Sequence, residues 1–340
     1  MIKVCFDYKV FFEQSLGGAS KYIFQLNNEL TKFNCNSKIL SPVHINNYIY
    51  NNKSIKTFYK FKNQYPKFTR NFFERFNRIY TNYYLKTNKV DIFHFTLENI
   101  DYLKIFPGKK VTTVYDLIHE KFDKYYNLPI DYKIKKKFFL NQMDHIICIS
   151  ENTKKDLIQY YDISENRISV THLATSYEVD KRKVSNVNKT IKPYVLFVGY
   201  RKRYKNFINF IKAFSVSDKL KSDFDIICFG NQEFDRNEIS IIDSLNLNKS
   251  IKLVSGDDEK LEQFYKNASL FVFPSLYEGF GIPLLEAMKN KCPISCSNTS
   301  SLKEIGSDAV DYFDPNSVDS ISSSMENVLY SENYKNDLIN

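Results

Sequence analysis

Short β-rich runs alternate with helix-length segments along this chain, and they do so in two separate series. The first series has IKVCFDY (2–8), the run from Ser37 to Leu40, DIFHF (91–95), KKVTTVYDL (109–117), DHIICIS (144–150) and RISVTHLAT (167–175). Residues 176–192, SYEVDKRKVSNVNKTIK, are polar, charged and without period, as a linker is. A second series then begins: YVLFVG (194–199), FDIICFG (224–230), IKLVSG (251–256), SLFVFPS (269–275) and PISCSN (293–298). Between the strands lie helix signals. Gly17-Gly18 opens one with Tyr22, Phe24, Leu26 and Leu30, and Ser150 to Thr153 supply cap residues for one running to Tyr161. Others are expected from Asn206, near 235–245, near 257–267, after Pro283 and near 316–330. Strands alternating with helices make parallel sheets covered on both faces. The expected fold is α/β, with two Rossmann-like domains (1–178 and 190–340) facing a cleft where ligands sit at strand C-termini. The 340 residues suit two domains of ordinary size.

Composition removes several classes of function. A hydrophobic fraction of 43% is that of a soluble globular chain, and no run of about 18 apolar residues provides a membrane span. MIKVCFDYKVFF reads as a first strand rather than a signal peptide. The six cysteines are scattered and read as reduced thiols, mostly in buried strands; Cys292 and Cys296, with no nearby histidine, make a poor zinc site. The net charge of +9 is uneven: residues 1–180 carry 27 basic and 18 acidic side chains, and the remainder carry 21 of each. Residues 56–89 alone hold nine basic side chains and one acid, Glu74.

The chemistry concentrates in ASLFVFPSLYEGFGIPLLEAM (268–288). A buried strand there gives way to Glu278, Gly279, Phe280 and Gly281. Pro283 suits the first turn of the following helix, and Glu286 is expected in that turn as well. Glycines let the backbone approach a ligand, and a helix N-terminus offers free N–H groups to phosphate. Two carboxylates eight residues apart beside such a site suggest binding of sugar hydroxyls next to a diphosphate, hence a nucleotide-sugar. A departing diphosphate needs cations. Arg201, Lys202, Arg203 and Lys205 follow the strand YVLFVG and supply them; Lys205 is the first choice, with Arg201 or Arg203 as its partner. Gly17 and Gly18 are placed to cover phosphates from the other domain. His119 and Asp116 lie just past VTTVYDL, where a histidine serves sugar hydroxyls or a proton path; His94, at another strand end, carries the same two readings, structural or functional.

Taken in order, these segments resemble the retaining glycosyltransferases of family 4, the two-domain B-type family that contains sucrose synthases and bacterial polysaccharide mannosyltransferases. The resemblance rests on SLYEGFGIPLLEAM, FVGYRKRYKN, LGGASKYIFQL, TVYDLIHEKF and HIICISENTKKDL, and runs from about residue 2 to 330. It implies that Glu278 contacts the donor sugar and Glu286 the ribose. Arg201 or Arg203, with Lys205, would hold the diphosphate, and Gly17 and Gly18 would cap it. It implies no metal and no cofactor, the nucleotide-sugar being a substrate; Asp223-Phe224-Asp225 opens a strand and is not expected to bind metal. Many members carry histidine where this chain has Tyr115, and His119 is the nearest substitute. The family's usual closing helix, which crosses back to the first domain, has little room before Asn340.

The segment KTFYKFKNQYPKFTRNFFERFNRIYTNYYLKTNK (56–89) carries Phe68, Phe72, Phe76, Ile79, Tyr80 and Tyr83 at helical spacing, with Arg70, Arg75 and Arg78 around them. It reads either as a helix leaning on an anionic membrane surface or as a core helix with a solvated basic face. Nucleic acid is not an expected partner, because no groove-binding motif accompanies the charge. The expected activity is a metal-independent, cytoplasmic hexosyltransferase, peripheral at the inner face of the plasma membrane on the first of these two readings. It would use a UDP- or GDP-linked donor and a cell-surface glycan or lipid-linked saccharide acceptor. The alternatives are a non-catalytic subunit of a glycan-assembly complex and a sugar-nucleotide epimerase on the same fold.

Overall fold

The computed structural model describes residues 1–50, 55, 57–62, 64–175 and 192–339. The expected linker therefore lies outside the described residues except for Lys192, as do Lys56 and Asn63 of the basic segment. The chain divides into two compact units. The first comprises residues 1–120, 127–149 and 153–171; the second comprises 121–126, 150–152 and 172–340, so two short stretches of the first series group with the second unit.

The first unit is built on a six-stranded parallel sheet of β1 (Ile2–Phe6), β2 (Cys35–Ile39), β5 (Ile92–Phe95), β6 (Lys109–Val114), β7 (His145–Cys148) and β8 (Ile168–Val170), in the order β2-β1-β5-β6-β7-β8. A small parallel pair, β3 (Val43–His44) and β4 (Tyr59–Lys60), stands beside it. Side chains alternate between the faces, as the two-residue period of a strand requires. Val4 and Phe6 enter one core cluster with Ile23 and Ile39, while Cys5 enters the other with Phe93, Phe95, Leu140 and Leu157.

The second unit repeats the design with β9 (Tyr194–Val198), β10 (Asp225–Phe229), β11 (Ile251–Val254), β12 (Leu270–Phe273), β13 (Ile294–Ser297) and β14 (Asp311–Phe313). All pairings are parallel, in the order β11-β10-β9-β12-β13-β14. Val195 and Phe197 pack on one face with Phe210 and Phe214, and Tyr194 and Leu196 on the other with Phe264 and Leu284. The short strand β14 and a last helix, Glu332–Ile339, are not anticipated from sequence; the helix seats Tyr334 and Leu338 on the first of these clusters. Helices cover both faces of each sheet, the α/β doubly wound arrangement expected.

Five of the six cysteines are buried and none is paired. Burial pushes the Cys5, Cys228 and Cys292 thiols up to about 12, so these groups stay protonated and inert near neutral pH. No helix among the described residues is long and apolar enough to cross a membrane.

Candidate active site

The chain leaves β9 for β10 and β11 on one side, and returns to β12 on the other. Neighbours β9 and β12 are thus the pair at which strand order reverses, and the loops after such a pair splay apart to form a ligand crevice. One loop carries the basic run, the other Glu278. Leu276 N–H donates to Tyr204 O across them (2.7 Å), tying the two loops together. Lys205 Nζ then reaches Glu278 Oε1 at 2.6 Å, with both side chains mostly buried (16% and 11% exposed). This is the distance of a charge-assisted hydrogen bond. The ammonium also lies 5.4 Å from the ring of Phe273, the last residue of β12.

Local sequence sets this geometry. Arg203–Lys205 form one 3-10 turn, bounded by left-handed backbone at Arg203 (φ 57°) and Asn206 (φ 56°). Asparagine enters that region readily and arginine does not, so the Arg203 conformation is held by its surroundings. Asn206 Nδ2 donates to Pro315 O at 2.7 Å, and its guanidinium neighbour Arg203 stacks 4.5 Å from the Tyr126 ring.

The Glu278 loop is fastened from behind by residues that sequence reading passed over. Ser300 Oγ accepts from Glu278 N–H at 2.9 Å. The buried Ser301 hydroxyl is shared between Glu278 O (2.9 Å) and Phe280 O (3.0 Å), and Thr299 Oγ1 donates to Ser275 O (3.3 Å). The signal was present: Ser297-Asn298-Thr299-Ser300-Ser301 is a run of small polar side chains that begins on the last residue of the buried strand β13. Phe280 itself is buried, its ring 5.9 Å from that of His172. Gly281 is left-handed (φ 102°) and caps the helix Ile282–Lys289, in which Pro283 takes an early position as expected. Glu286 falls in the second turn of that helix, not the first, and accepts from Tyr265 Oη at 3.3 Å.

Arg201 is placed differently from the expectation. Its side chain is 3% exposed, and Nε lies 3.1 Å from Glu238 Oε1. The terminal nitrogen donates to Gln232 O and Glu233 O (2.7 and 2.8 Å), and the guanidinium stacks 4.5 Å from the Phe234 ring. Glu238 is also the reciprocal partner of Asp235 in a capping box at the helix Arg236–Ser244. Arg201 is thus a buried strut, engaged by Glu238, Gln232, Glu233 and Phe234 and not by Glu278. A basic run is featureless in sequence; the Asp235-x-x-Glu238 box beside Phe234 was the only hint.

The other candidates belong to the first unit. Gly17 is extended (φ 179°) and precedes the helix Gly18–Leu30, where Gln14 Oε1 accepts from Ser20 N–H at 3.2 Å. A side chain at Gly17 would collide with the Gln14 amide, whereas one at Gly18 would meet nothing within 4 Å. His119 is exposed on the short helix Ile118–Lys121, its ring edge-on to Tyr132. The next residue, Glu120, is buried against Lys136 Nζ (2.8 Å) and Tyr161 Oη (2.5 Å), which fixes the turn that presents His119. His94 is buried, with Nε2 3.0 Å from Thr113 Oγ1; burial lowers its pKa to about 4, so it is a neutral core residue.

Asp223 and Asp225 do not form a pair: Tyr330 Oη engages one and Lys252 Nζ the other. Among the described residues no group of three or more metal-ligating side chains converges.

Known proteins share this fold. The family model described as "Glycosyltransferase Family 4" matches residues 16–178, and "Glycosyl transferases group 1" matches residues 178–340. The O-antigen chain mannosyltransferase B of Escherichia coli is 28% identical over 200 residues, covering 56% of this chain and 52% of that protein, so the chain spans about half the length of this relative. In fold, the sucrose-phosphate synthase of Thermosynechococcus elongatus superposes with a TM-score of 0.75 at 15% identity, covering 99% of this chain and 92% of that one. HepE of Anabaena, in complex with UDP and glucose, gives 0.73 at 12% identity, covering 100% and 92%. With the two models spanning residues 16–340 end to end and the two parallel-sheet units in place, the chain belongs to the family 4 glycosyltransferases of B-type fold.

Proposed function

We propose that this protein transfers a hexose from a UDP- or GDP-linked donor to a cell-surface glycan or lipid-linked saccharide, with retention of anomeric configuration. The Lys205–Glu278 pair at the β9/β12 reversal is the observation that carries this reading. A diphosphate entering there offers Lys205 a stronger partner than one carboxylate does. Lys205 then turns to the phosphate oxygens, where negative charge grows as the glycosidic bond breaks. Glu278, released from its cation but still held by Ser300 and Ser301 through its backbone, accepts hydrogen bonds from the sugar hydroxyls. Amides at the Gly281-capped helix start add positive potential to the same spot. Glu286 is assigned to the ribose, Arg203 to the outer diphosphate oxygens, Gly17 and Gly18 to covering the phosphates, and His119 to the acceptor side. Arg201 acts as a positioning residue. No metal or cofactor is needed in this scheme, because Lys205 and the helix supply the charge that a cation would, and the leaving phosphate takes the acceptor proton on the same face. A mannosyl donor and a polysaccharide acceptor have the support of the E. coli relative. A cytoplasmic site of action is part of the proposal and agrees with six unpaired thiols.

The test is a thermal-shift panel of UDP-, GDP- and ADP-sugars, followed by product analysis with the best donor. Glu278→Gln, folded as judged by circular dichroism, is expected to lose roughly 10²–10³-fold in turnover. Wild-type turnover in that variant would falsify the assignment. An isomerised donor formed without acceptor would point to epimerisation, and an inverted anomer would remove the retaining mechanism.

A further inference from the structure

The helix Arg70–Thr87 is apolar on the wrong side for a helix that serves only the core. Its buried positions are Asn77, Thr81 and Leu85, two of them polar. Asn77 closes a two-way hydrogen bond with the Val43 backbone, accepting from N–H (3.0 Å) and donating to O (2.8 Å). Phe73, Tyr80 and Tyr84 complete the inner face against the core. The outer face carries Phe72, Phe76, Ile79 and Tyr83, which are 67%, 38%, 58% and 67% exposed. At about 100° per residue these four fall within about 60° of one another, a single stripe opposite the buried residues. Phe58, 63% exposed, extends it by edge contact with Phe76. Phe68, just before the helix, is fully exposed and sits in left-handed backbone (φ 64°), a conformation a bulky residue rarely adopts.

Cations flank the stripe. Arg75 and Arg78 lie on one side of it along the helix, with Lys67 before and Lys86 after, all exposed. Arg78 forms a long ion pair with Asp101 (3.6 Å). The one acid of the segment, Glu74, is turned inward onto Lys9, and Arg70 is taken by Glu13. The outward charge is therefore positive.

We infer that this face docks the first unit on an anionic lipid bilayer, with Phe68, Phe72, Phe76, Ile79 and Tyr83 entering the interface and Arg75, Arg78, Lys67 and Lys86 meeting headgroup phosphates. Aromatic side chains with flanking cations on one helix face match the chemistry of that boundary. The occupant is a lipid surface because the stripe is apolar yet bordered by one sign of charge; a protein-only interface would more often mix signs.

The test sediments the full chain with phosphatidylcholine vesicles, with and without phosphatidylglycerol, at low and high salt and without any sugar substrate. The result is thereby independent of the proposed transfer activity. Binding is expected only to the acidic vesicles and to weaken with salt. Arg75→Gln with Arg78→Gln is expected to weaken it about 25-fold, at about fivefold per cation, and Phe72→Ser with Ile79→Ser at least about tenfold. All four positions are exposed, so unchanged urea midpoints are expected to accompany these losses. Failure to bind acidic vesicles, or binding indifferent to both variant pairs, overturns the inference. So does a concentration-dependent dimer in ultracentrifugation that Phe72→Ser with Ile79→Ser dissolves, since the face then belongs to a second copy.

Discussion

Arg201 and Lys205 stand four residues apart in one basic loop, yet they pair with different carboxylates, Glu238 and Glu278, and on the proposed function that division has a measurable consequence. Glu238→Gln keeps the shape of the capping residue, because glutamine also serves at that helix position. It removes the charge that balances Arg201, whose side chain is 3% exposed. Breaking a buried pair from one side costs about 3–5 kcal/mol. The carbonyls of Gln232 and Glu233 and the Phe234 ring still receive the guanidinium, which puts the cost near the lower end, about 3 kcal/mol. Arg201→Met strands the Glu238 carboxylate instead; the Asp235 N–H still donates to it, and the cost is again about 3 kcal/mol. The double variant Arg201→Met, Glu238→Gln has no stranded charge and is expected to fall about 2–3 kcal/mol short of the sum of the singles.

Urea denaturation followed by circular dichroism or tyrosine emission reads this directly, the chain having 25 tyrosines and no tryptophan. At an m-value of about 3 kcal/mol/M, each single variant should lower its midpoint by about 1 M. Donor affinity, measured under conditions where every variant is folded, should stay within about twofold of wild type for Arg201→Met and fall about 10- to 100-fold for Lys205→Met, as loss of a charged hydrogen bond predicts. The opposite pattern would refute the reasoning: Arg201→Met stable to within about 1 kcal/mol while donor affinity collapses. Arg201 would then be a donor ligand that the Glu238 contact merely parks.

Two further predictions concern the scaffold. His44 and His94 are both buried, and burial lowers each pKa to about 4 from the usual 6.5. The unfolded chain therefore binds protons first as pH falls, and stability is lost between pH 6.5 and 4, by up to about 3 kcal/mol per histidine. Asp7 opposes this: burial raises its pKa to about 6, so it favours the folded state as pH falls through that value. A His44→Gln, His94→Gln double variant should flatten the acid side of a stability-versus-pH curve, and an unchanged slope would remove the two histidines as its cause. At Gly281 (φ 102°) an added Cβ would lie 2.9 Å from Leu302 Cδ2, so Gly281→Ala should cost about 1–3 kcal/mol in denaturation, while Gly18→Ala, with open space around it, should leave the midpoint unmoved.

The alternation of strands with helices and the two loops of the site were legible because both rest on local signals: β-branched and aromatic runs bounded by glycine, and a helix started by Gly281 and Pro283. What escaped the sequence was direction. In Arg201 to Lys205 nothing in the string says which cation pairs with which acid; Arg201 goes to Glu238, 37 residues away and on another element. The stripe of the helix Arg70–Thr87 shows the same limit. Its period was visible, but taking the aromatic side as either core or lipid face required knowing that Asn77 is claimed by the Val43 backbone. Burying an asparagine is tolerable only when such partners exist, and periodicity carries no information about them. The serine run behind Glu278 was overlooked for a related reason: small hydroxyl residues look like a loop until their backbone partners are known.

The two sheets also differ in what their reversal points offer the diphosphate of the proposed function. Each has a pair of neighbouring strands at which order reverses, β1/β5 and β9/β12, and fold alone makes the two points equivalent. Their chemistry is opposite. After β1 stands Asp7, wholly buried, its Oδ1 taken by the backbone N–H and hydroxyl of Thr96 and by Lys9 N–H. A carboxylate buried there would repel an anion. After β9 stands Lys205, held by a carboxylate that a phosphate can replace. A charge already paired but exchangeable is desolvated in advance, so a phosphate entering there meets a cation whose hydration has largely been removed. On the proposed function the nucleotide end of a donor is matched to the second unit by the residues at its reversal point, and the same substitution pattern, Lys205→Met against Asp7→Asn, should separate the two: the first weakening donor binding, the second leaving it unchanged.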